Sequence, residues 1–151
     1  MLRLPKKLLF AIEAVLDIAY HSSSSPTQSR DITRRQGIPR RYLEQALQQL
    51  VREGILIGVR GPKGGYQLSR ERRRVMIGEI VRCVNKMEFA NSSKDVGEGS
   101  ELSLKVVVPL WGSVQESAQK ILDTTSIEDL CVKAKKEGIN SEGQEKLDFI
   151  I

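Results

Sequence analysis

The sequence predicts a mainly α-helical fold with one small β-hairpin (an α+β class), and three observations lead to this prediction. Apolar residues recur at helical spacing in several separate segments of the 151-residue chain. The sequence Gln-Gly-Ile-Pro at 36–39 separates two short helical segments. A glycine-rich run at 61–65 then separates two short strand candidates. Two helices joined by a Gly-containing turn and followed by a hairpin predict a winged helix-turn-helix.

The first two helices are predicted from apolar spacing and from the residues at their ends. Residues 6–20 carry an apolar stripe typical of a core-facing helix, formed by Leu8, Ile12, Val15, Leu16 and Ala19. The serine run at 22–25, with Pro26, predicts an exposed loop. Ser29 is the expected N-cap of a second helix ending at Gln36, where Gly37 can take the left-handed conformation of a tight turn.

The third helix is the candidate recognition helix. Pro39 fits its first turn, Gly54 closes it after Glu53, and its predicted buried residues are Leu43, Leu47, Leu50 and Val51. This spacing turns Arg40, Arg41, Glu44 and Gln45 toward solvent and places Tyr42 near the edge of the buried stripe.

The hairpin is expected from strands at 55–60 and 66–68. Arg60 and Lys63 lie at its tip, where they are placed to contact phosphates. A phosphate-binding loop of the P-loop type is excluded, because the glycine spacing is wrong and no Lys-Ser or Lys-Thr pair follows. The arginines at 70 and 72–74 extend the positive surface or form a solvated run, and another core helix starts near Ile77.

The C-terminal half predicts a separate dimerisation element. We expect a winged helix-turn-helix domain at 1–86, a flexible loop at 87–105, two helices at 106–136 and a disordered tail at 137–151. Pro109 begins the first of these helices, and Thr125 with Glu128 predicts a capping box for the second. The candidate dimer interface is the heptad-spaced stripe of the first helix, formed by Trp111, Val114, Ala118 and Ile121.

Charge and composition favour a polyanionic partner. The chain has a formal net charge of +5, but residues 1–86 hold 17 basic and 7 acidic residues, and residues 87–151 hold 7 basic and 12 acidic. A positive field concentrated on one part of a fold suits DNA. The absence of any apolar run of 18 residues predicts no membrane span, and two distant cysteines predict a reducing, cytoplasmic location.

The residues predict base readout rather than catalysis. A single histidine and the lack of a Ser/His/Asp set, an HExxH motif or paired acidic residues argue against an enzyme. On an exposed helix, Glu44 can accept a hydrogen bond from a cytosine amino group and Gln45 can pair with adenine. The alternative is that both are ordinary surface residues. Arg60 suits a phosphate or a narrow minor groove.

Several motifs together resemble one family closely, over about residues 2–136. They are Leu2-Arg3-Leu4 with Lys6 or Lys7, Gln36-Gly37-Ile38-Pro39, Tyr42-Leu43-Glu44-Gln45, Val59-Arg60-Gly61-Pro62-Lys63-Gly64-Gly65-Tyr66, Ile77-Gly78-Glu79-Ile80 and Pro109-Leu110-Trp111. This pattern resembles the Rrf-two family of bacterial winged-helix transcription regulators. The resemblance implies a homodimer on a pseudo-palindromic operator in double-stranded DNA, with the helix at Trp111 as the dimer interface. It also implies that Arg41, Tyr42, Glu44, Gln45 and Arg60 approach the DNA.

The chain departs from the family in one respect. Many members bind an iron–sulfur cluster through three cysteines in the loop before the dimerisation helix, whereas residues 89–108 contain no cysteine. Ser92 or Ser93, a residue near Gly99, and Lys105 take the expected positions, with Val108 near that of a further histidine ligand. These side chains cannot replace thiolates, so we expect no cofactor and no metal.

The expected function is therefore a dimeric, cluster-free DNA-binding regulator that acts as a repressor. Its signal is expected to be a small molecule, a protein partner, or oxidation of Cys83 or Cys131. The alternatives are a regulator without an effector, and a protein-interaction module that reuses the fold.

Overall fold

The structure is a computed structural model that describes residues 5–91 and 99–144. The helices are α1 (Lys6–Tyr20), α2 (Ser29–Gln36), α3 (Arg40–Arg52), α4 (Ile77–Asn91), α5 (Val108–Asp123) and α6 (Ile127–Lys136). Strands β1 (Leu56–Val59) and β2 (Gly65–Leu68) form an antiparallel hairpin in which Leu56 pairs with Leu68 and Val59 with Gly65. A 3₁₀ turn covers Arg72–Arg74, and a π-helical turn at Ser103–Val107 precedes α5. The predicted fold class is confirmed.

Helix α1 is the centre of the core and contacts α2, α3, α4, α6 and β2. Its small residues Ala11 and Ala14 are fully buried and allow neighbouring helices to approach closely. The predicted buried residues of α3 are confirmed at Leu43, Leu47 and Leu50, and burial of each such side chain stabilises the fold by about 1.5–3 kcal/mol.

The turn between α2 and α3 follows the sequence prediction at its central residue. Gly37 ends α2 with a φ of 67°, and its N–H bonds to the carbonyl of Thr33. Pro39 immediately precedes α3 rather than lying in its first turn. The predicted N-cap of α2 is also wrong by one residue, because Ser29 is already helical and Gln28 is the flanking residue.

The predicted capping box of α6 is wrong by one residue as well. Ser126, not Thr125, caps the helix: its Oγ accepts a hydrogen bond from the Asp129 N–H at 3.1 Å, and Asp129 accepts one from the Ser126 N–H at 2.9 Å. Tertiary pairing explains the shift. The Ile77 N–H bonds to the Thr125 carbonyl and the Ile127 N–H bonds to the Val75 carbonyl, which holds this segment extended through Ser126.

The flexible loop expected at 87–105 is shorter in the structure. Helix α4 passes through residue 87 and continues to Asn91, and helical turns resume at Glu101. Residues 92–98, the middle of the expected loop, lie outside the described residues. Pro109 lies inside the helical segment, and its missing N–H and its ring disfavour normal α-helical bonding there, which explains the wider π turn just before it.

The disorder expected after Gly138 is wrong for residues 139–144. This segment packs against the end of α1: the Tyr20 hydroxyl donates to the Ile139 carbonyl, and the Ser141 hydroxyl donates to the Tyr20 carbonyl at 2.7 Å. Residues 145–151 lie outside the described residues.

Candidate nucleic-acid interface

The solvent face of α3 carries the polar residues predicted to contact DNA. Because Leu43 and Leu47 bury one side of the helix, Arg41 and Gln45 are turned outward. Neither side chain has a hydrogen bond or an ion pair with another described residue, so both are available to a ligand.

Glu44 is also exposed, but its carboxylate has a partner. Arg40 Nε lies 3.1 Å from Glu44 Oε1, in an i, i+4 pair with both side chains at least half exposed. Exposed helix pairs of this kind contribute only about 0.3–0.5 kcal/mol. Glu44 can therefore exchange Arg40 for a cytosine amino group at little cost, and Arg40 would then be free to contact a phosphate.

Tyr42 is placed differently from the other predicted contact residues. Its hydroxyl donates to the Lys7 carbonyl on α1 at 2.5 Å, and its ring centroid lies 5.9 Å from that of Phe10. Burial raises the pKa of the phenol to about 12, helped by the nearby Glu88 carboxylate. In this structure Tyr42 holds α3 against α1, and its hydroxyl is not on the solvent face of α3.

The hairpin presents Arg60 and Lys63 at its tip. Gly61 has a φ of 110°, and a Cβ on Gly64 would lie 2.1 Å from the Val59 carbonyl oxygen, so this tight turn requires glycine. Arg60 and Lys63 are both exposed and, among the described residues, have no carboxylate partner.

The wing is attached to the segment that leads into α2. Thr27 and Tyr66 exchange backbone hydrogen bonds of 3.0 and 2.8 Å, and a Cβ on Gly65 would lie 2.3 Å from the Thr27 carbonyl oxygen. On its other side, a cleft lined by Gln48, Arg52, Gly58 and Tyr66 separates the wing from α3. Because α3 also contacts β1, the recognition helix and the wing are neighbours.

Several cations of this surface have no ion-pair partner within the described ranges. Arg41, Arg60 and Lys63 have no carboxylate partner among the described residues, whereas many other cations of this half are ion-paired, namely Lys7, Arg34, Arg35, Arg70, Arg72, Arg73, Arg82 and Lys86. Lys6, Arg30, Arg52 and Arg74 likewise lack a carboxylate partner among the described residues, so four of the seven unpaired cations of this half lie on α3 and the wing tip, namely Arg41, Arg52, Arg60 and Lys63.

The arginine run after β2 mostly serves the fold. Arg70 pairs with Glu79 of α4, Arg72 with Glu128 of α6, and Arg73 with Glu71 at 2.5 Å. The first two pairs hold the segment after the wing against α4 and α6. Among these four arginines only Arg74 has no carboxylate partner in the described part of the chain, so the predicted extension of the positive surface is supported for Arg74 alone.

The side chains of the predicted dimer interface are exposed along α5. Trp111 is 49 % exposed, Val114 37 % and Ile121 67 %, and Ala118 is also exposed. The carboxyl end of α5 is fixed on α4, where Asp123 pairs with Arg82 at 2.6 Å and Gln119 donates to the Gly78 carbonyl at 3.2 Å. A Cβ on Gly78 would lie 1.8 Å from the Asp123 carboxylate, so the glycine allows this close crossing.

The two thiols are poorly suited to sensing oxidation. Both are buried in the core. Burial raises the pKa of Cys83 to about 11, and burial also raises the pKa of Cys131. Because the thiolate is the reactive form, these environments disfavour the thiol-based alternative.

Sequence reasoning missed a polar network beside this surface. Asp17 has a fully buried side chain that accepts hydrogen bonds from Arg35 at 2.9 and 2.7 Å and from Gln36 at 2.7 Å. The available indication was an aspartate at 17 between the buried residues Val15 and Ala19 of α1.

The described residues hold neither a candidate metal site nor a candidate membrane span. They contain no group of three His, Cys, Asp or Glu side chains placed to hold a metal ion. None of their helices has both the length and the apolar character needed to cross a membrane.

An exposed recognition helix beside a basic wing defines the winged helix-turn-helix class of DNA-binding proteins. Residues 4–133 match the model of the Rrf2 family, described as an iron-dependent transcriptional regulator, and the chain belongs to this family. It is the family that the sequence motifs indicated.

Relatives and solved structures agree with this assignment. The chain is 35 % identical over 131 residues to the transcriptional regulator IscR of Xenorhabdus nematophila, which covers 85 % of this chain and 79 % of the relative. A solved IscR from T. potens has a TM-score of 0.70 at 28 % identity and covers 96 % of each chain. The global cysteine regulator CymR of B. subtilis has a TM-score of 0.66 at 27 % identity, covering 88 % of this chain and 98 % of that one.

The protein is therefore a DNA-binding transcription regulator and not an enzyme. Regulators of this family typically act as dimers.

Proposed function

We propose that the protein is a homodimeric, sequence-specific repressor that binds a pseudo-palindromic operator and works without an iron–sulfur cluster. The observation that carries this proposal is the unpaired positive charge of Arg41, Arg60 and Lys63 on α3 and the adjacent wing tip. Repression requires only that the bound protein occupy a promoter. As a regulator of chromosomal DNA it would work in the cytoplasm, in response to an unidentified small molecule or protein.

Within this surface, Glu44 and Gln45 are assigned to base contacts, and Lys63 to phosphate. Arg40 and Arg41, one helical turn before Glu44 and Gln45, and Arg60 of the wing suit phosphate contact or, for Arg60, a narrow minor groove. The position of the Tyr42 hydroxyl supports a different role for that residue, which is to hold α3 in place from behind.

The proposal of a cluster-free regulator rests on the donor atoms that the chain offers. Near the expected ligand positions, Lys105 is an ammonium ion paired with Glu101 at 2.7 Å. The two cysteines, Cys83 and Cys131, are packed in the core instead. Iron–sulfur clusters require thiolate or, less often, imidazole ligands, so this donor set does not fit the group that the family description implies.

The dimer is supported by the exposed apolar face of α5. Trp111, Val114 and Ile121 would each lose exposed surface in a symmetric contact between two α5 helices. A two-fold axis would also present two recognition helices to two half-sites, which is the usual reason for a palindromic operator.

A DNA-selection experiment tests the proposal. The purified full-length protein is mixed with random-sequence duplexes, the retained sequences are determined, and affinity for the selected duplex is measured against a scrambled one over a range of salt. We expect enrichment of a two-fold symmetric sequence. We also expect the logarithm of the association constant to fall by about 0.9 per phosphate contact for each tenfold increase in salt concentration.

Lys63→Ala and Lys136→Ala form a matched pair, because each removes one exposed lysine charge, from the wing tip and from the end of α6 respectively. Only Lys63→Ala should reduce the salt slope, by about one unit. Retention of no preferred sequence, with equal slopes for both variants, would contradict the proposal and favour a protein-interaction module.

A further inference from the structure

The segment at 139–144 lies outside the family-matched region of 4–133 and is docked against the helix-turn-helix. Besides the bonds at Tyr20, the Glu142 N–H donates to His21 Nδ1 at 3.0 Å. Gly143 is buried, and a Cβ there would lie 1.9 Å from the Ser22 carbonyl oxygen. The backbone of the segment therefore approaches the end of α1 as closely as a glycine permits.

The Glu142 carboxylate fastens this segment to α2. It accepts hydrogen bonds from Arg34 at 3.1 and 2.9 Å and from Arg35 at 2.7 Å. Arg35 is also bound by the buried Asp17, and Arg34 lies 3.7 Å from Asp31, so three carboxylates face two guanidinium groups. An arginine that is only 10 % exposed needs such compensation.

This network lies immediately before the recognition helix. Arg35 and Gln36 are the last residues of α2, and the left-handed turn at Gly37 and the buried Ile38 lead directly to α3. A change in the ion pairs of Arg35 therefore changes the position of the C-terminal end of α2, where the turn to α3 begins.

We propose that residues 139–144 are a strap that holds the helix-turn-helix in its DNA-binding geometry, with Glu142 as the positioning residue that fastens it. The proposal rests on the proposed function, since it assigns the strap to the same DNA surface. Because coupling between two equilibria is reciprocal, DNA that favours this geometry also favours the docked strap.

Glu142→Gln tests the strap, with Glu137→Gln as the matched control. Both changes remove one negative charge, but Glu137 is exposed at the end of α6 and its side chain has no partner among the described residues. Charge alone would strengthen DNA binding equally in the two variants. We expect Glu142→Gln instead to bind the selected duplex more weakly than Glu137→Gln, by about fivefold or more, which is the lower range of coupling between sites.

Amide hydrogen exchange gives a second measurement that needs no DNA. In the free full-length protein, Glu142→Gln should speed exchange at 20–22 and 33–38, whereas Glu137→Gln should leave these segments unchanged. In the wild type, adding the selected duplex should slow exchange at 139–144.

Equal DNA affinities for the two glutamine variants, or unchanged exchange at 33–38 in Glu142→Gln, would overturn the strap. If Glu142→Gln does not fold, Ser141→Ala replaces it, because this change removes the hydroxyl bond to the Tyr20 carbonyl and leaves the ion pairs in place. It should weaken DNA binding in the same direction, and an unaltered affinity would again overturn the proposal. If the wild type shows no sequence preference, the proposed function fails, whereas the exchange experiment still decides whether the strap holds the turn.

Discussion

Trp111→Ala is expected to weaken dimerisation strongly, because it removes a large exposed apolar side chain from α5. Trp111 is 49 % exposed on α5 in the isolated chain. A tryptophan has about 250 Å² of accessible surface, so about 120 Å² of Trp111 is still available for burial in an interface. Truncation to alanine would remove about 100 Å² of this buried area.

At about 25 cal/mol per Å², this loss is about 2.5 kcal/mol for each protomer. A two-fold interface contains the residue twice, which gives about 5 kcal/mol, or between about three and four powers of ten in the dimer dissociation constant.

Sedimentation velocity over a concentration series measures this constant directly. Ile57→Ala is the control, because Ile57 is similarly exposed, at 47 %, but lies on the wing strand β1. We expect the control to dimerise like the wild type and Trp111→Ala to be monomeric at low micromolar concentration. An unchanged dissociation constant for Trp111→Ala would refute the placement of the interface on this face of α5.

The other predictions concern the cofactor, base readout, the turn and the tail. Anaerobic reconstitution with iron and sulfide should leave the protein colourless and without bound iron, and a stoichiometric cluster would contradict the ligand argument. Glu44→Ala and Gln45→Ala should each reduce discrimination between operator variants by about 1–3 kcal/mol, and an unchanged ratio of selected to scrambled affinity in both would show that α3 does not read sequence. Gly37→Ala should lower the unfolding free energy by about 1–2 kcal/mol because its φ is 67°, whereas Gly112→Ala, with open space around its Cβ position in α5, should be neutral or stabilising in urea titrations. Hydrogen bonding to Arg34 lowers the pKa of Glu142 from 4.5 to about 2, so its carboxylate stabilises the fold above the unfolded-state pKa and this contribution is lost as the pH falls toward 2. The difference in unfolding free energy between wild type and Glu142→Gln should therefore shrink as the pH falls from 4.5 to about 2. A difference that stays constant over this pH range would contradict the ion pairing of Glu142.

Tertiary contacts explain where the sequence predictions of local structure fail. Serine and threonine are both good N-caps, so sequence rules alone do not decide between Thr125 and Ser126 at the start of α6. The pairing of Val75 and Ile77 with residues 125–127 decides it. Similarly, the polar composition after Gly138 is typical of a disordered tail, but Arg34 and Arg35 offer this segment a partner that is distant in sequence.

The class of fold and the position of the proposed DNA surface follow from the sequence alone, because both depend on local rules. Apolar spacing defines the face of α3 that is buried, and therefore the face that carries Arg41 and Gln45. The glycine at 37 defines the turn, since it is the residue that adopts a positive φ without strain. Which polar side chains remain free depends instead on tertiary packing. Tyr42, Arg72 and Glu142 look like surface residues in the sequence, yet each binds a group far along the chain, and a hydrogen bond or ion pair between distant segments depends on how the helices pack.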